Sequence, residues 1–160
     1  MEFTQSVTYP GTVDEVVAMY LTPAYLERRF GQFVVEGSQA VSVEGERVSF
    51  AGTVRPELIP AAAARFVKSD LRITFTEEWA TNEAGAASHT SVTVDGAPVS
   101  VEATSTLAPA EAGSVRDVTG NVSVRVPLLG GRIEKEAVAH LGRVVEREQA
   151  LATQWLEEHR

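Results

Sequence analysis

The stretch Val118-Thr119-Gly120-Asn121-Val122-Ser123-Val124-Arg125-Val126, followed by Pro127-Leu128-Leu129-Gly130-Gly131, decides the fold. Val118, Val122, Val124 and Val126 alternate with Thr119, Asn121, Ser123 and Arg125, the period-two pattern of a strand with one buried face. Pro127 ends that strand, because proline has no N–H to give to a sheet ladder. Gly130-Gly131 is expected to supply the backbone reversal that follows. From Arg132 to Glu157 the period changes to that of a helix, with Ile133, Ala137, Leu141, Val144, Leu151, Ala152 and Trp155 on one stripe. A single helix over that range extends ~39 Å. Coming after a run of strands, it must lay its stripe against a sheet, and a curved sheet closed on one helix tends to enclose a cavity.

The rest of the chain supplies the strands. Phe3, Gln5, Val7 and Tyr9 alternate with polar residues until Pro10-Gly11. Thr12-Val13-Asp14-Glu15 has the spacing of a capping box and predicts a helix from Val13 to about Leu21. Thr22-Pro23 opens a second short helix to about Arg29. Phe33, Val35, Val41 and Val43 share one parity, interrupted at Gly37 and Gln39. Beyond Glu44-Gly45, Val48, Phe50, Gly52 and Val54 complete a hairpin. Pro60 and the run Ala61 to Val67 favour a helical turn. Strands are then expected at Leu71–Trp79, Ser88–Val94, Pro98–Leu107 and Ser114–Val126, with a polar loop over Thr81–Ala87 and a hairpin turn at Asp95-Gly96. Strand, two short helices, about six antiparallel strands and one long helix make an α+β fold in a single domain over residues 1–160.

Composition narrows the function. Fourteen basic and twenty-two acidic residues give a net charge of −8, which disfavours the phosphate backbone of nucleic acids. No stretch approaches eighteen uninterrupted apolar residues, so stable membrane insertion is not expected. The N-terminus shows no secretory pattern, and with no cysteine there is neither disulfide nor thiolate metal site; the cytoplasm is the default location. Gly-rich nucleotide loops, a Gly-x-Ser-x-Gly elbow and a His-Glu-x-x-His zinc motif are all missing. No cofactor and no metal are therefore expected, and oligomeric state is not legible.

The Tyr9-Pro10 strand end, Thr12–Glu15 and Pro23-Ala24-Tyr25-Leu26 together resemble the helix-grip fold of the START-like (SRPBCC) superfamily. Asp95-Gly96-Ala97-Pro98-Val99 and Val126-Pro127-Leu128-Leu129-Gly130-Gly131-Arg132-Ile133-Glu134 resemble, more narrowly, an uncharacterised actinobacterial family of that superfamily, DUF2505. The resemblance covers the whole chain. It implies a curved antiparallel sheet wrapped on the C-terminal helix, with a cavity between them that usually takes a hydrophobic ligand. It also leaves room for enzymes, since fold does not settle function.

The candidate residues are those that break the apolar faces or line them. Glu148 falls in the middle of the helical stripe beside Leu141, Val144 and Trp155, and His140 lies at its margin. A carboxylate there must be paired, protonated or facing a wet cavity, because burial of an unpaired charge costs several kcal/mol. On the sheet, Phe75 and Trp79 share a face with Glu77, and Phe50 joins them as a candidate lining residue. With Glu77 and Glu148 both inward, two carboxylates would share one cavity and repel, raising at least one pKa. The leading expectation is non-catalytic binding or carriage of a small hydrophobic molecule, oriented by one or two polar groups. The alternatives are a cyclase- or isomerase-type enzyme using a cavity acid, and a protein-interaction domain that holds no ligand.

Overall fold

The computed structural model describes residues 1–59, 61–65, 67 and 69–160. In chain order the elements are β1 (Glu2–Tyr9), α1 (Val13–Tyr20), α2 (Pro23–Phe30), β2 (Ala40–Glu44), β3 (Arg47–Thr53), α3 (Ala61–Ala64), β4 (Arg72–Asn82), β5 (Gly85–Asp95), β6 (Val99–Ala110), β7 (Gly113–Val124), α4 (Gly130–Ala139) and α5 (Leu141–Glu158). All seven strands form one antiparallel sheet in the order β1-β7-β6-β5-β4-β3-β2. Helices α1 and α2 carry the chain from one edge of the sheet to the other, and a meander then returns it to β1. The sheet wraps the helices in a helix-grip arrangement: α5 packs on β1, α1 and α2, while α4 packs on β7.

Local chemistry explains the early elements. The Glu15 N–H donates to Thr12 Oγ1 (3.2 Å) and the Thr12 N–H donates to Glu15 Oε1 (2.9 Å), closing the capping box that starts α1. Pro23 sits in the first turn of α2, where its missing N–H is not needed. The register aligns one rung across five strands, Phe50–Phe75–Val92–Val101–Val122, all on the concave face. The core divides in two. Tyr9, Tyr20, Tyr25, Trp79 and Trp155 fill one end of the grip. Leu26, Val34, Val48, Phe50 and Phe75 form a smaller cluster toward the other.

Four local expectations are corrected. The terminal helix is bent rather than continuous: His140 has φ −87° and ψ −7°, and its N–H is shared between the Glu136 and Ala137 carbonyls, a tightened turn that re-aims the chain into α5. The reversal before α4 is made by Leu128, at φ 70°, and not by the two glycines, which are already helical. Gly130 is needed instead for close approach, since a Cβ there would lie 2.2 Å from the Val124 carbonyl oxygen. The parity read through Phe33 and Val35 slips by one residue. A 3-10 turn at Gly31–Phe33 leaves Phe33 and Val35 outside and buries Val34, which bridges to Val54. The polar run over Thr81–Ala87 is a tight hairpin turn, with β4 and β5 paired down to Asn82–Gly85. Of the helical run after residue 59, Ala61–Ala64 is helical, and Pro60 and Phe66 lie outside the described residues.

Candidate functional site

Between α2, the turn after it, the β3–β5 part of the concave face and α5 lies a cleft of about 270 Å³. Its floor is Phe50, Ile73, Phe75 and Val92, and Val144 faces it from α5. Phe30 closes it from α2, its ring 5.2 Å from Phe50 and 4.7 Å from Phe75. Val144 and Phe33 remain 57% and 39% exposed, so the apolar lining continues to an open mouth. Farther along the same face, beyond Leu71 and Val94, a second apolar recess of about 220 Å³ runs to Val124 and Ile133. A larger depression, about 510 Å³, is lined, among the described residues, by α5 alone.

Three charged side chains enter the cleft wall: Arg29, Arg147 and Glu148. Arg29 Nε lies 2.7 Å from Glu148 Oε1, with each side chain only 12% exposed. The contact is a close ion pair rather than a hydrogen bond, because the Arg29 Nε–H is not aimed at the oxygen; among the described residues Nε and Nη1 are both buried without an acceptor. The guanidinium also rests against the rings of Tyr20, Phe30 and Phe75 at 4.9, 4.7 and 5.1 Å. Burial alone would weaken its hold on the proton, but Glu148 above all keeps the Arg29 pKa raised. On the far side, Tyr20 Oη donates to Glu148 Oε1 (3.1 Å) and shares a 2.6 Å hydrogen bond with Tyr9 Oη. Burial raises the pKa of both phenols, so they stay protonated.

Deeper in the packed half lies a second ion pair. Arg116 extends from β7 over β6 and β5 to β4, where its Nη2 donates to Glu77 Oε2 at 2.9 Å. Serines on the intervening strands make room and accept from it: Nε donates to Ser105 Oγ (2.9 Å) and Nη2 to Ser88 Oγ (3.1 Å). Glu77 also accepts from Thr90 Oγ1 (2.7 Å) and Trp79 Nε1 (3.0 Å). Burial pushes the Glu77 pKa up, yet Arg116, then Arg29 and the hydrogen bonds outweigh it and hold the carboxyl below its usual range.

The sequence-derived candidates therefore separate. Phe50, Phe75, Val144 and Glu148 line the cleft together. Trp79 stacks on Tyr20 (5.5 Å) and Trp155 packs edge-on against Tyr25 (5.4 Å), both within the filled half of the core. His140 is exposed at the bend, and Leu141 is half-buried beside it. Glu77 and Glu148 both point inward but do not form a repelling pair, because each has its own arginine. Those arginines are what sequence reading missed. Arg116 has the same strand parity as Val118 and Val122, and Arg29 follows Leu26 by three residues on α2, so a buried-face signal was available for each.

The same architecture occurs in solved structures. Norcoclaurine synthase from Thalictrum flavum, in complex with dopamine and hydroxybenzaldehyde, superposes with a TM-score of 0.61 at 13% identity, covering 100% of this chain and 88% of that one. A START superfamily protein from Mycobacterium smegmatis gives 0.53 at 13% identity, covering 95% and 99%. The fold is thus START-like, of the helix-grip kind. More narrowly, the chain belongs to the family described as "Protein of unknown function (DUF2505)", which matches residues 4–156. Among its relatives, Rv0481c of Mycobacterium tuberculosis is 25% identical over 96% of this chain and 95% of that protein. Among the described residues, no helix is long and apolar enough to cross a membrane.

Proposed function

We propose that the protein binds and carries a small hydrophobic molecule in the cleft between α2, β3–β5 and α5, without transforming it. The observation that carries this reading is the cleft itself, a ring-lined space of about 270 Å³ with an apolar mouth and a few convergent polar groups. The ion pairs favour carriage over catalysis: Glu77 is held ionised by Arg116 inside the packed half, and Glu148 is neutralised by Arg29. Neither is a free acid or base, as proton transfer would require. Norcoclaurine synthase, of the same fold, forms a complex with dopamine and hydroxybenzaldehyde, which supports a small ligand for the cleft. The proposal takes residues 1–160 as one domain acting in the cytoplasm.

The test is binding of the neutral fluorophore N-phenyl-1-naphthylamine to the wild type and to Val144→Trp, together with native mass spectrometry of protein purified from its own host. Val144 is more than half exposed, so the larger ring blocks the cleft while stability stays within about 0.5 kcal/mol. Probe binding is expected to weaken at least tenfold. Equal binding by the variant and the wild type, with no co-purifying apolar molecule, removes the cleft as the site.

A further inference from the structure

Resting on the ligand-binding reading above, we propose that the occupant is an apolar monocarboxylic acid whose carboxylate is held by Arg29 and Arg147. The cleft wall contributes two guanidiniums and one carboxylate, and its other side chains are apolar. Glu148 balances Arg29. Arg147 has no such balance: among the described residues, no carboxylate lies within 4 Å of it. Neutral groups hold it in place. Its Nη1 donates to the Arg29 carbonyl oxygen (3.2 Å) and its guanidinium lies over the Phe33 ring at 4.8 Å. The Gln32 amide, turned so that its oxygen faces the guanidinium, accepts from Nε and Nη2. A cation secured only by neutral partners at the edge of an apolar cleft leaves one positive charge to be met.

Arg29 supplies the second, independent observation. Among the described residues its Nε–H and Nη1–H are buried without an acceptor, and a buried donor left unmade is a penalty that an incoming oxygen relieves. One carboxylate answers both features: an oxygen of it can accept from an unserved Arg29 N–H while its charge balances Arg147. A neutral ligand leaves Arg147 unbalanced, and a dianion brings a charge that Glu148 repels. The apolar floor of Phe50, Phe75 and Val92 takes the rest of the molecule.

The experiment titrates the full chain calorimetrically with two acids, decanoate and 2-naphthoate, and with their uncharged counterparts, 1-decanol and 2-naphthalenemethanol. At least one acid is expected to bind tenfold or more tighter than its alcohol, and which acid wins distinguishes an acyl chain from an aromatic body. In Arg147→Gln that preference falls to threefold or less while alcohol binding is unchanged. Glutamine can still donate to the Arg29 carbonyl, which keeps the variant folded. Arg29→Gln combined with Glu148→Gln removes both charges of that pair, so neither partner is left uncompensated; Arg147 keeps its charge, and the preference is expected to be reduced but not abolished. If the wild type binds acids and alcohols equally, the acid proposal falls and the hydrophobic-ligand reading survives. If neither is bound, both fall. An undiminished preference in both variants also overturns the assignment to these arginines.

Discussion

Glu77→Gln removes one charge and almost no volume, so it isolates what the buried ion pair does for the fold. Glu77 is 1% exposed and Arg116 5%. In the native protein the carboxylate accepts from Arg116 Nη2, Thr90 Oγ1 and Trp79 Nε1. An amide has a single acceptor oxygen and turns its own N–H groups toward what are already donors. Serving Trp79 therefore leaves Arg116 and Thr90 unserved, or the reverse. Removing one partner of a buried pair costs roughly 3–5 kcal/mol, and at this chain length each kcal/mol moves Tm by about 2–4 °C. Thermal unfolding followed by circular dichroism should show Tm lower by roughly 6–20 °C. Glu77→Met with Arg116→Met removes both charges and leaves mainly the Trp79 N–H unsatisfied, at about 1–3 kcal/mol, so the double variant should be the more stable of the two. Acid supplies a second readout. A carboxyl whose folded pKa is depressed stabilises fully above its unfolded value, about 4.3, and loses that contribution as pH falls through the folded value. The gap between wild type and Glu77→Gln should therefore narrow below about pH 4. A loss under ~1 kcal/mol at neutral pH, or a double variant less stable than the single one, refutes the account of the pair.

The strand-to-helix turn gives two further expectations. Gly130→Ala places a Cβ 2.2 Å from the Val124 carbonyl and should destabilise by more than ~2 kcal/mol. Gly131→Ala meets nothing within 4 Å and should be neutral or stabilising by up to roughly 1 kcal/mol; equal effects in urea unfolding would show that the contact is not what selects glycine. Leu128, fully exposed at φ 70°, should tolerate Leu128→Asn with a gain of up to about 1 kcal/mol, because asparagine enters the left-handed region more readily. A clear loss of stability in that variant would mean the leucine side chain does more than occupy the turn.

How far the sequence could be read depended on how local each determinant is. The Val118–Val124 alternation and the Thr12–Glu15 box lie within a few residues and came through directly as β7 and the start of α1. The bend at His140 did not, because the apolar stripe continues past it and only the backbone records the change of direction. Phe33 and Val35 misled because one 3-10 turn shifts parity by one, and a slip of one residue exchanges the faces of a strand. In the site, Glu77 and Glu148 stood out as polar residues on apolar faces, yet their partners lie far away in the chain: Arg116 is 39 residues from Glu77, and Arg29 precedes Glu148 by 119 (148 − 29). The rule that picked out each carboxylate picks out each arginine as well. What it cannot supply is which of them meet, since that depends on sheet order and on the passage of α2 beneath α5.

The division between a filled half and a hollow half follows from where α5 can approach closely. At its C-terminal end Ala152 is fully buried and a Cβ at Gly11 would lie 3.1 Å from Leu156 Cδ1, so small residues let the helix seat on β1 and α1. Before that point Val144 is more than half exposed, and the β3–β5 floor is roofed by α2 and the cleft. The chain Tyr9–Tyr20–Glu148–Arg29 crosses the boundary between the halves. Tyr20 is packed against Trp79 and Tyr25, and Tyr9 against Tyr20, so the guanidinium at the cleft is fixed from the rigid side. A donor already held in place loses little entropy on binding. Under the binding proposed above, differences in affinity between headgroups should therefore reflect charge and hydrogen bonding at Arg29 and Arg147, with little contribution from rearrangement of the grip.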